Sequence, residues 1–221
     1  MKKHLYWTAL ALLAASCSVN DDTVDGPVQM SLSDIVTFDG NAGGRARFSF
    51  QQVDDSPVVN LAAQGELKSD DLEEGDRLYI VYIPESGKPY TSGNITLRGA
   101  SLINCGDVVE TEMSEMADWN RDKVYVLSLW RSGTYVNLHC RLTFSKDPRI
   151  FRLSADPATL GSAYPDLYVH HELPAGTDNY DHNYYASWNM AAVWNLPTTE
   201  GVRVHVANSN MPQCIFEFRK K

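Results

Sequence analysis

Histidines and carboxylates concentrate in one stretch of the chain, DLYVHHELPAGTDNYDHNYY, where their types suit metal binding. If this stretch begins as a β-strand, His170 and Glu172 point to one side while His171 points to the core. Imidazole and carboxylate groups are common zinc ligands, so His170 and Glu172 are the candidate metal ligands. Asp181 or His182 in the following loop would complete the set. Because no dense ligand spacing such as HExxH accompanies them, we expect exposed polar residues here and no metal or other cofactor.

Aromatic residues surround the same segment and offer a second kind of chemistry. Exposed rings flanked by Asn and Asp stack on sugars or peptides, because each ring combines apolar area with a polar edge. Strand alternation places Tyr184 and Trp188 on the face that fills the core, and Tyr185 on the other face. We predict that Tyr180, Tyr185 and His182 contact an unknown protein or glycan ligand. The alternative is that these rings only fill a sandwich core.

Motifs for catalysis are missing from the sequence. It contains no GxSxG elbow, no glycine-rich phosphate loop and no Cys/His pair in a recognised context. We therefore predict no catalytic residues and no enzymatic activity.

The amino terminus, MKKHLYWTALALLAASCSVNDD, indicates export and lipid attachment. Basic Lys2 and Lys3 precede an apolar run at 5–15, which is too short for a membrane span of about 20 residues. Small residues before Cys17 are typical of a lipoprotein signal, so residues 1–16 are predicted to be removed and Cys17 to carry lipid. The outer membrane is then the expected partner, with the protein at its periplasmic face or at the cell surface. The alternative is an ordinary secretory signal in which Cys17 is incidental.

The residues that follow the signal are acidic. Residues 17–27, CSVNDDTVDGP, offer almost nothing to bury and are predicted to form a disordered tether. Removal of residues 1–16 leaves 17 basic residues against 28 acidic ones, a net charge near −11. Because no basic patch offsets this charge, nucleic acid is excluded as a partner.

Short alternating segments rich in β-branched and aromatic residues dominate the remaining chain, and sustained helical periodicity is absent. Five such segments within residues 28–107 predict a small closed barrel. Seven more within residues 123–221 predict an antiparallel β-sandwich. Residues 108–122 are charged and do not alternate, so they are the predicted linker. The expected fold class is therefore all-β, a five-stranded barrel followed by a seven-stranded sandwich.

The cysteines beyond Cys17 leave two arrangements open. Cys140 and Cys214 both fall on predicted core-facing strand positions. They either form a disulfide or remain two small buried residues. With Cys105, the number of remaining thiols is odd, so at least one stays unpaired within the chain.

Two segments resemble parts of a known family. LEEGDRLYIVYI…NITLRGASLI resembles an OB-fold domain in which the turn Glu73–Asp76 leads into the central strand. DLYVHHELPAGTDNYDHNYYASWNM is similar to the late segment of NigD-like lipoproteins of Bacteroides-type bacteria, where a strand ending in His precedes a polar loop and an aromatic strand. This resemblance covers essentially the whole chain. It implies an N-terminal OB-like barrel, a C-terminal β-sandwich and association with a bacteriocin operon, and it implies no catalytic residues.

These observations predict a lipid-anchored cell-envelope protein that binds or interacts without catalysis. A structural or anchoring subunit of a surface fibre is the alternative. A metal-dependent hydrolase is the least supported of the three hypotheses.

Overall fold

The computed structural model describes residues 30–147, 149–172 and 177–221, the side chains of 177–179 excepted. Strands account for 55% of the residues and helices for 4%, which confirms the all-β class. Within this described part, no helix is long and apolar enough to cross a membrane. The predicted signal 1–16, the lipid-bearing Cys17 and the tether 17–27 lie outside the described residues and stay predictions.

The amino-terminal half forms a closed barrel of five strands, as predicted. The strands are β1 (Leu32–Asn41), β2 (Arg45–Phe50), β3 (Val59–Gln64), β4 (Arg77–Pro84) and β5 (Gly93–Leu102). Their order is β1-β2-β3-β5-β4, and β1 pairs with β4 to close the ring. Alternation fills the barrel: Leu78, Ile80 and Tyr82 of β4 point inward and pack against Phe48 of β2.

A tight turn delivers the chain into β4. In the turn Glu73–Asp76, Gly75 adopts a φ of +97°, which favours glycine because a side chain there would be strained. The backbone N–H of Glu73 donates to the Asp76 carboxylate at 2.7 Å. The turn fixes where β4 begins, and so which of its residues point out of the barrel.

The carboxy-terminal half is a sandwich of two sheets around one core. The four-stranded sheet has the order β6-β12-β9-β8 and the five-stranded sheet the order β14-β13-β11-β10-β7. Leu138 and Trp188 from the first sheet pack against Leu153, Val169 and Val204 from the second. The strands are β6 (Asn104–Asp107), β7 (Val109–Glu110), β8 (Tyr125–Ser132), β9 (Tyr135–Ser145), β10 (Phe151–Ala155), β11 (Asp166–His171), β12 (Thr177–Asn189), β13 (Gly201–Val206) and β14 (Ile215–Arg219).

The sandwich differs from the predicted seven antiparallel strands in two respects. The short strands β6 and β7 join it, one in each sheet, so that it has nine strands. Three pairs run parallel: β6 with β12, β7 with β10, and β11 with β13. Strands of two to four residues carry too little alternation to be recognised locally, and parallel pairing depends on partners distant in sequence.

One predicted strand ends early. The pattern YYASWNMAAVW predicts a strand through Trp194, but β12 ends at Asn189 and a helical turn, α1 (Ala191–Trp194), follows. The side chain of Asn189 accepts a hydrogen bond from the Ala191 N–H at 3.1 Å, a local contact that competes with strand pairing.

Neither Cys140 nor Cys214 forms a disulfide. Cys140 is in the core as predicted, and burial raises the pKa of its thiol to about 12. The prediction that Cys214 faces the core is wrong, because this residue precedes β14 and is exposed. Phe216 and Phe218 of that strand do pack against the core.

One buried arginine connects the two domains. Arg77, the first residue of β4, points out of the barrel yet is only 4% exposed. Its guanidinium donates to Thr37 Oγ1 of the barrel at 2.7 Å, and across the interface to Ser187 Oγ at 3.0 Å and Asn137 Oδ1 at 3.4 Å. The guanidinium carbon lies 4.2 Å from the ring centroid of Tyr135. Burial lowers the pKa of Arg77 to about 10, so the group remains charged at neutral pH and requires these partners.

A second buried arginine holds the loop between β2 and β3. Arg131 of β8 is 0% exposed and donates to both carboxylate oxygens of Asp55 at 2.7 Å. The Asp54 N–H donates to the Arg131 carbonyl, and the Gly133 N–H donates to the Asp54 carbonyl, each at 2.7 Å. Gly133 has a φ of +57°, and a Cβ there would collide with the side chain of Gln51. The barrel loop therefore docks on the β8–β9 hairpin through both side chains and backbone.

Replacing Arg77 should weaken the whole molecule. We expect Arg77→Ala to lower the free energy of unfolding by about 2–4 kcal/mol, because it leaves Ser187 and Asn137 without their buried donor. Urea unfolding of the purified protein measures the change. Arg98→Ala, at an exposed position of β5, is the matched control and should stay within about 0.5 kcal/mol. Equal effects of the two changes would contradict a stabilising role for the interface.

Candidate binding cleft between the barrel and the sandwich

A cleft of about 270 Å³ lies where the barrel meets the outer face of the four-stranded sheet. Both domains supply its walls, so its shape depends on the contacts of Arg77 and Arg131. The principal lining residues are Asp34, Gln52 and Tyr79 from the barrel and Trp130, His139 and Tyr185 from the sandwich.

Three stacked rings form one side of the cleft. Tyr185 lies between Tyr79 and His139, with both ring centroids 4.3 Å away and interplanar angles of 20° and 16°. Tyr185 and His139 are paired across β12 and β9, and alternation points both away from the sandwich core. Tyr79 follows Arg77 by two residues on β4 and so points out of the barrel on the same side. The stack is therefore built across the domain interface.

Burial favours the neutral forms of Tyr185 and His139. It raises the pKa of Tyr185 and lowers that of His139. The Nε2 atom of His139 is buried and has no hydrogen-bond partner among the described residues.

Asp34 borders the cleft, but its side chain points into the barrel, because it is paired with the core residue Ile80. This residue of β1 is half-buried, and its Oδ2 accepts a hydrogen bond from the Tyr82 hydroxyl at 2.9 Å. Burial raises the pKa of Asp34 to about 6, and the hydrogen bond from Tyr82 opposes part of that rise. At neutral pH this carboxylate is therefore mainly ionised.

Polar side chains lie at the rim of the cleft, and they differ in whether a hydrogen bond holds them in place. Ser33 and Gln52 are exposed and make no side-chain hydrogen bond within the described part of the chain. Gln51 is held in place, because its Nε2 donates to the Ser56 carbonyl at 2.7 Å. Trp130 is half-buried on β8, on the same sheet face as His139. The cleft thus combines ring surfaces with hydrogen-bonding groups, an arrangement suited to holding a small polar ligand.

The three predicted ligand-contacting residues are not brought together. Tyr185 lines the cleft. Tyr180 and His182 lie toward the other end of β12, where both contact Phe144: the Tyr180 ring stacks on it at 5.0 Å and the His182 ring meets it edge-on at 5.8 Å. As predicted, Trp188 is in the core.

The candidate metal ligands are not assembled either. His171 is 3% exposed, and burial lowers its pKa to about 4, in keeping with its predicted core position. His170 is half-buried on the opposite face of β11, and Glu172 is exposed just beyond the strand. Asp181 and His182 are on β12 of the other sheet. Within the described ranges, no group of three or more His, Cys, Asp and Glu residues is placed to hold a metal ion.

Sequence reasoning missed most of the cleft. Alternation places His139 on the face opposite the core-facing Cys140, but the sequence assigns that face no function. Asp34, Tyr79 and Trp130 come from strands far apart in the chain, and no local motif connects them. One sequence feature could have revealed the cleft. Aromatic and histidine residues occupy outward strand faces, where short polar residues are more usual.

A second depression, of about 380 Å³, lies on the barrel wall at β2 and β3. OB-folds commonly bind oligonucleotides or oligosaccharides on this face. Here Arg47, Asn60 and Asn94 line it, and its one aromatic residue, Phe48, is 1% exposed because it fills the barrel core. With no ring surface and walls from one domain only, this depression is the weaker candidate.

Comparisons with known proteins identify the fold. No protein-family model matches the chain, and no curated protein matches it. A Bacteroides vulgatus protein of unknown function, DUF1344, shares 18% identity with a TM-score of 0.63, over 87% of this chain and 92% of that one. A candidate lipoprotein from Bacteroides fragilis shares 11% identity with a TM-score of 0.60, over 87% and 99%. A NigD-like immunity protein from Bacteroides caccae shares 11% identity with a TM-score of 0.56, over 87% and 93%. The resemblance to the NigD-like family is thus confirmed at the level of the fold.

Asp34 should reduce the stability of the fold, because its carboxylate is buried on the inner face of the barrel. Because its folded-state pKa of about 6 lies above the usual 3.8, ionisation opposes folding above pH 6, and this cost disappears as the pH falls toward 4. Asp34→Asn should therefore raise the free energy of unfolding at pH 7 by on the order of 1–3 kcal/mol, with a smaller gain at pH 4. Denaturant unfolding at both pH values measures this. Asp70→Asn, in an exposed turn, is the control. A gain that is independent of pH would show that ionisation of Asp34 is not its cause.

Proposed function

We propose that this protein is a lipid-anchored cell-envelope protein that binds a ligand without transforming it. Lipid on Cys17 tethers the folded body to the outer membrane, at its periplasmic face or at the cell surface. The interdomain cleft binds the ligand, a protein segment or a glycan. The observation that carries the proposal is the cleft itself, in which the barrel and the sandwich, joined by buried arginines, present aromatic rings and exposed polar side chains to one small space.

The fold neighbours support this type of function. They include a candidate lipoprotein and an immunity protein, and a chain of the same fold can serve in the same setting. Association with a bacteriocin operon is part of the proposal on the same grounds. The sequence carries no recognised catalytic motif, which supports a non-catalytic role.

Loss of the lipidated cysteine should release the protein. In cells that make the full chain, we expect wild type to partition into detergent with the membranes and Cys17→Ala to appear in the aqueous phase. Ser18→Ala keeps the cysteine and is the control, expected to remain with the membranes. Mass spectrometry of the mature amino terminus identifies the lipid directly. An unmodified Cys17 in wild-type protein would contradict the anchoring.

Blocking the cleft should abolish ligand binding. We expect a screen of glycans and peptides against the mature chain, produced without its lipid, to yield a ligand that is recovered chemically unchanged. Gln52→Trp places a large ring at the exposed rim and should remove this binding, whereas Arg98→Trp, at an exposed position of β5 that does not line the cleft, should not. A ligand that is cleaved, or that binds both variants equally, would contradict the proposal. Absence of binding together with recovery of long assemblies would favour the fibre alternative.

A further inference from the structure

The two sheets of the sandwich end in four edge strands, and three of these are either too short or partly closed. β6 and β7 have four and two residues, too few to hold a further strand. On β8, the Asn210 side chain bonds both the N–H and the carbonyl of Val126, at 2.9 and 2.8 Å, as a neighbouring strand would. Toward the other end of β8, the Asp54 N–H donates to the Arg131 carbonyl. Within the described residues, the fourth edge strand, β14, has no such cover.

The free edge of β14 presents a row of backbone hydrogen-bonding groups. The Lys220 N–H, just after the strand, donates to the Glu200 carbonyl at 2.8 Å and so points toward β13. Because this direction alternates along an antiparallel strand, the N–H and C=O groups of Ile215, Glu217 and Arg219 point to the opposite side. No other described residue pairs with these backbone groups. They are available to a strand from outside.

The features that commonly protect an exposed edge are missing from β14. Such strands usually carry a proline or a β-bulge, or are covered by another element. β14 has no proline, it pairs with β13 without a shift in register, and Ile215 is 51% exposed. Phe216 and Phe218 pack against the sandwich core and hold the strand in place. A fixed, open edge of this kind is suited to the addition of a strand.

The charged residues of β14 indicate which strand fits this edge. Glu217 and Arg219 lie on the outer face of the sheet, with side-chain exposures of 37% and 72%. If two β14 strands meet antiparallel about a twofold axis at Phe218, Glu217 of each copy lies opposite Arg219 of the other. These are also residues whose backbone groups point to the free edge, so the same positions exchange hydrogen bonds. A twofold axis at Glu217 would instead oppose like charges.

We propose that β14 pairs edge to edge with β14 of a second copy of this chain, and that the two contacts between Glu217 and Arg219 fix the register. The pairing joins the five-stranded sheets of both copies into one continuous sheet, and it closes with two copies. Contacts confined to one strand bury little area, so the dissociation constant should fall in the micromolar to submillimolar range. This inference goes beyond the proposed ligand binding, because the lining of the cleft comes from other strands.

Sedimentation equilibrium of the mature chain, produced without its lipid, tests the pairing. We expect an equilibrium between monomer and dimer. Glu217→Arg places like charges opposite each other twice and should weaken the dimer about fivefold or more. The double variant Glu217→Arg/Arg219→Glu exchanges the charges and should return the affinity to within about threefold of wild type. Circular dichroism checks that each variant is folded.

A matched control separates the contact from the change in net charge. Glu85→Arg makes the same change of charge at an exposed position of the barrel. It should leave the dimer affinity within about threefold of wild type, since only the general repulsion between the two acidic copies is altered.

Amide hydrogen exchange at increasing protein concentration locates the contact. The Glu217 and Arg219 amides should exchange quickly in dilute solution and slow down as the dimer fraction rises. The Lys220 amide is already bonded to Glu200 within each copy, so its exchange rate should change little.

Each contrary outcome has a definite meaning. A chain that stays monomeric up to submillimolar concentration would overturn the proposal. A dimer that Glu217→Arg does not weaken would overturn it too, because the copies would then meet through another surface. Failure of the double variant to restore the dimer would overturn the register, and growth into long assemblies would overturn the closed pair. None of these results bears on ligand binding in the cleft, so the proposed function is tested separately.

Discussion

A guanidinium that is buried between two β-structures must find hydrogen-bond acceptors in both of them, and this requirement determines how the barrel and the sandwich meet. Arg77 contacts Thr37 on its own side and Ser187 and Asn137 on the other. Because Ser187 and Asn137 are a cross-strand pair of β12 and β9, the arginine sets the position of the barrel along these two strands. If the barrel moved along β12 and β9 to the next outward residue pair, the Arg77 guanidinium would face the rings of Tyr185 and His139. The ring of Tyr79 would then face polar groups instead of Tyr185.

The cleft follows directly from that alignment. The next outward residue of β4, Tyr79, meets the next outward residue of β12, Tyr185, and its partner His139 completes the stack. The second arginine, Arg131, fixes the β2–β3 loop through Asp55 and thereby positions the rim at Gln51 and Gln52. The binding site is thus a consequence of the interface, and it needs no moving part to form.

Alternation within single strands predicted much of this structure. It placed Tyr184 and Trp188 inward and Tyr185 outward, and it separated the core face of β9 from its polar face. What alternation does not show is what covers a polar face. The alternation pattern of β9 predicts that its outward residues are exposed to solvent, yet the barrel buries Asn137 completely. Arg77, directly after an acidic turn, likewise gives no local indication of burial. The strands β6 and β7 were missed for a related reason, because their pairing partners are distant in sequence and their own length is too short to alternate.

The cleft exists only while the barrel and the sandwich are joined, so the central claim is that the two behave as one rigid body. Two backbone hydrogen bonds cross the contact, from Asp54 N–H to the Arg131 carbonyl and from Gly133 N–H to the Asp54 carbonyl. Amide hydrogen exchange of the mature protein measures how often they open. The account predicts that the Asp54 and Gly133 amides exchange as slowly as the central amides of β4 and β9. Exchange at the rate of exposed loop amides would show that the domains separate freely, and would contradict it.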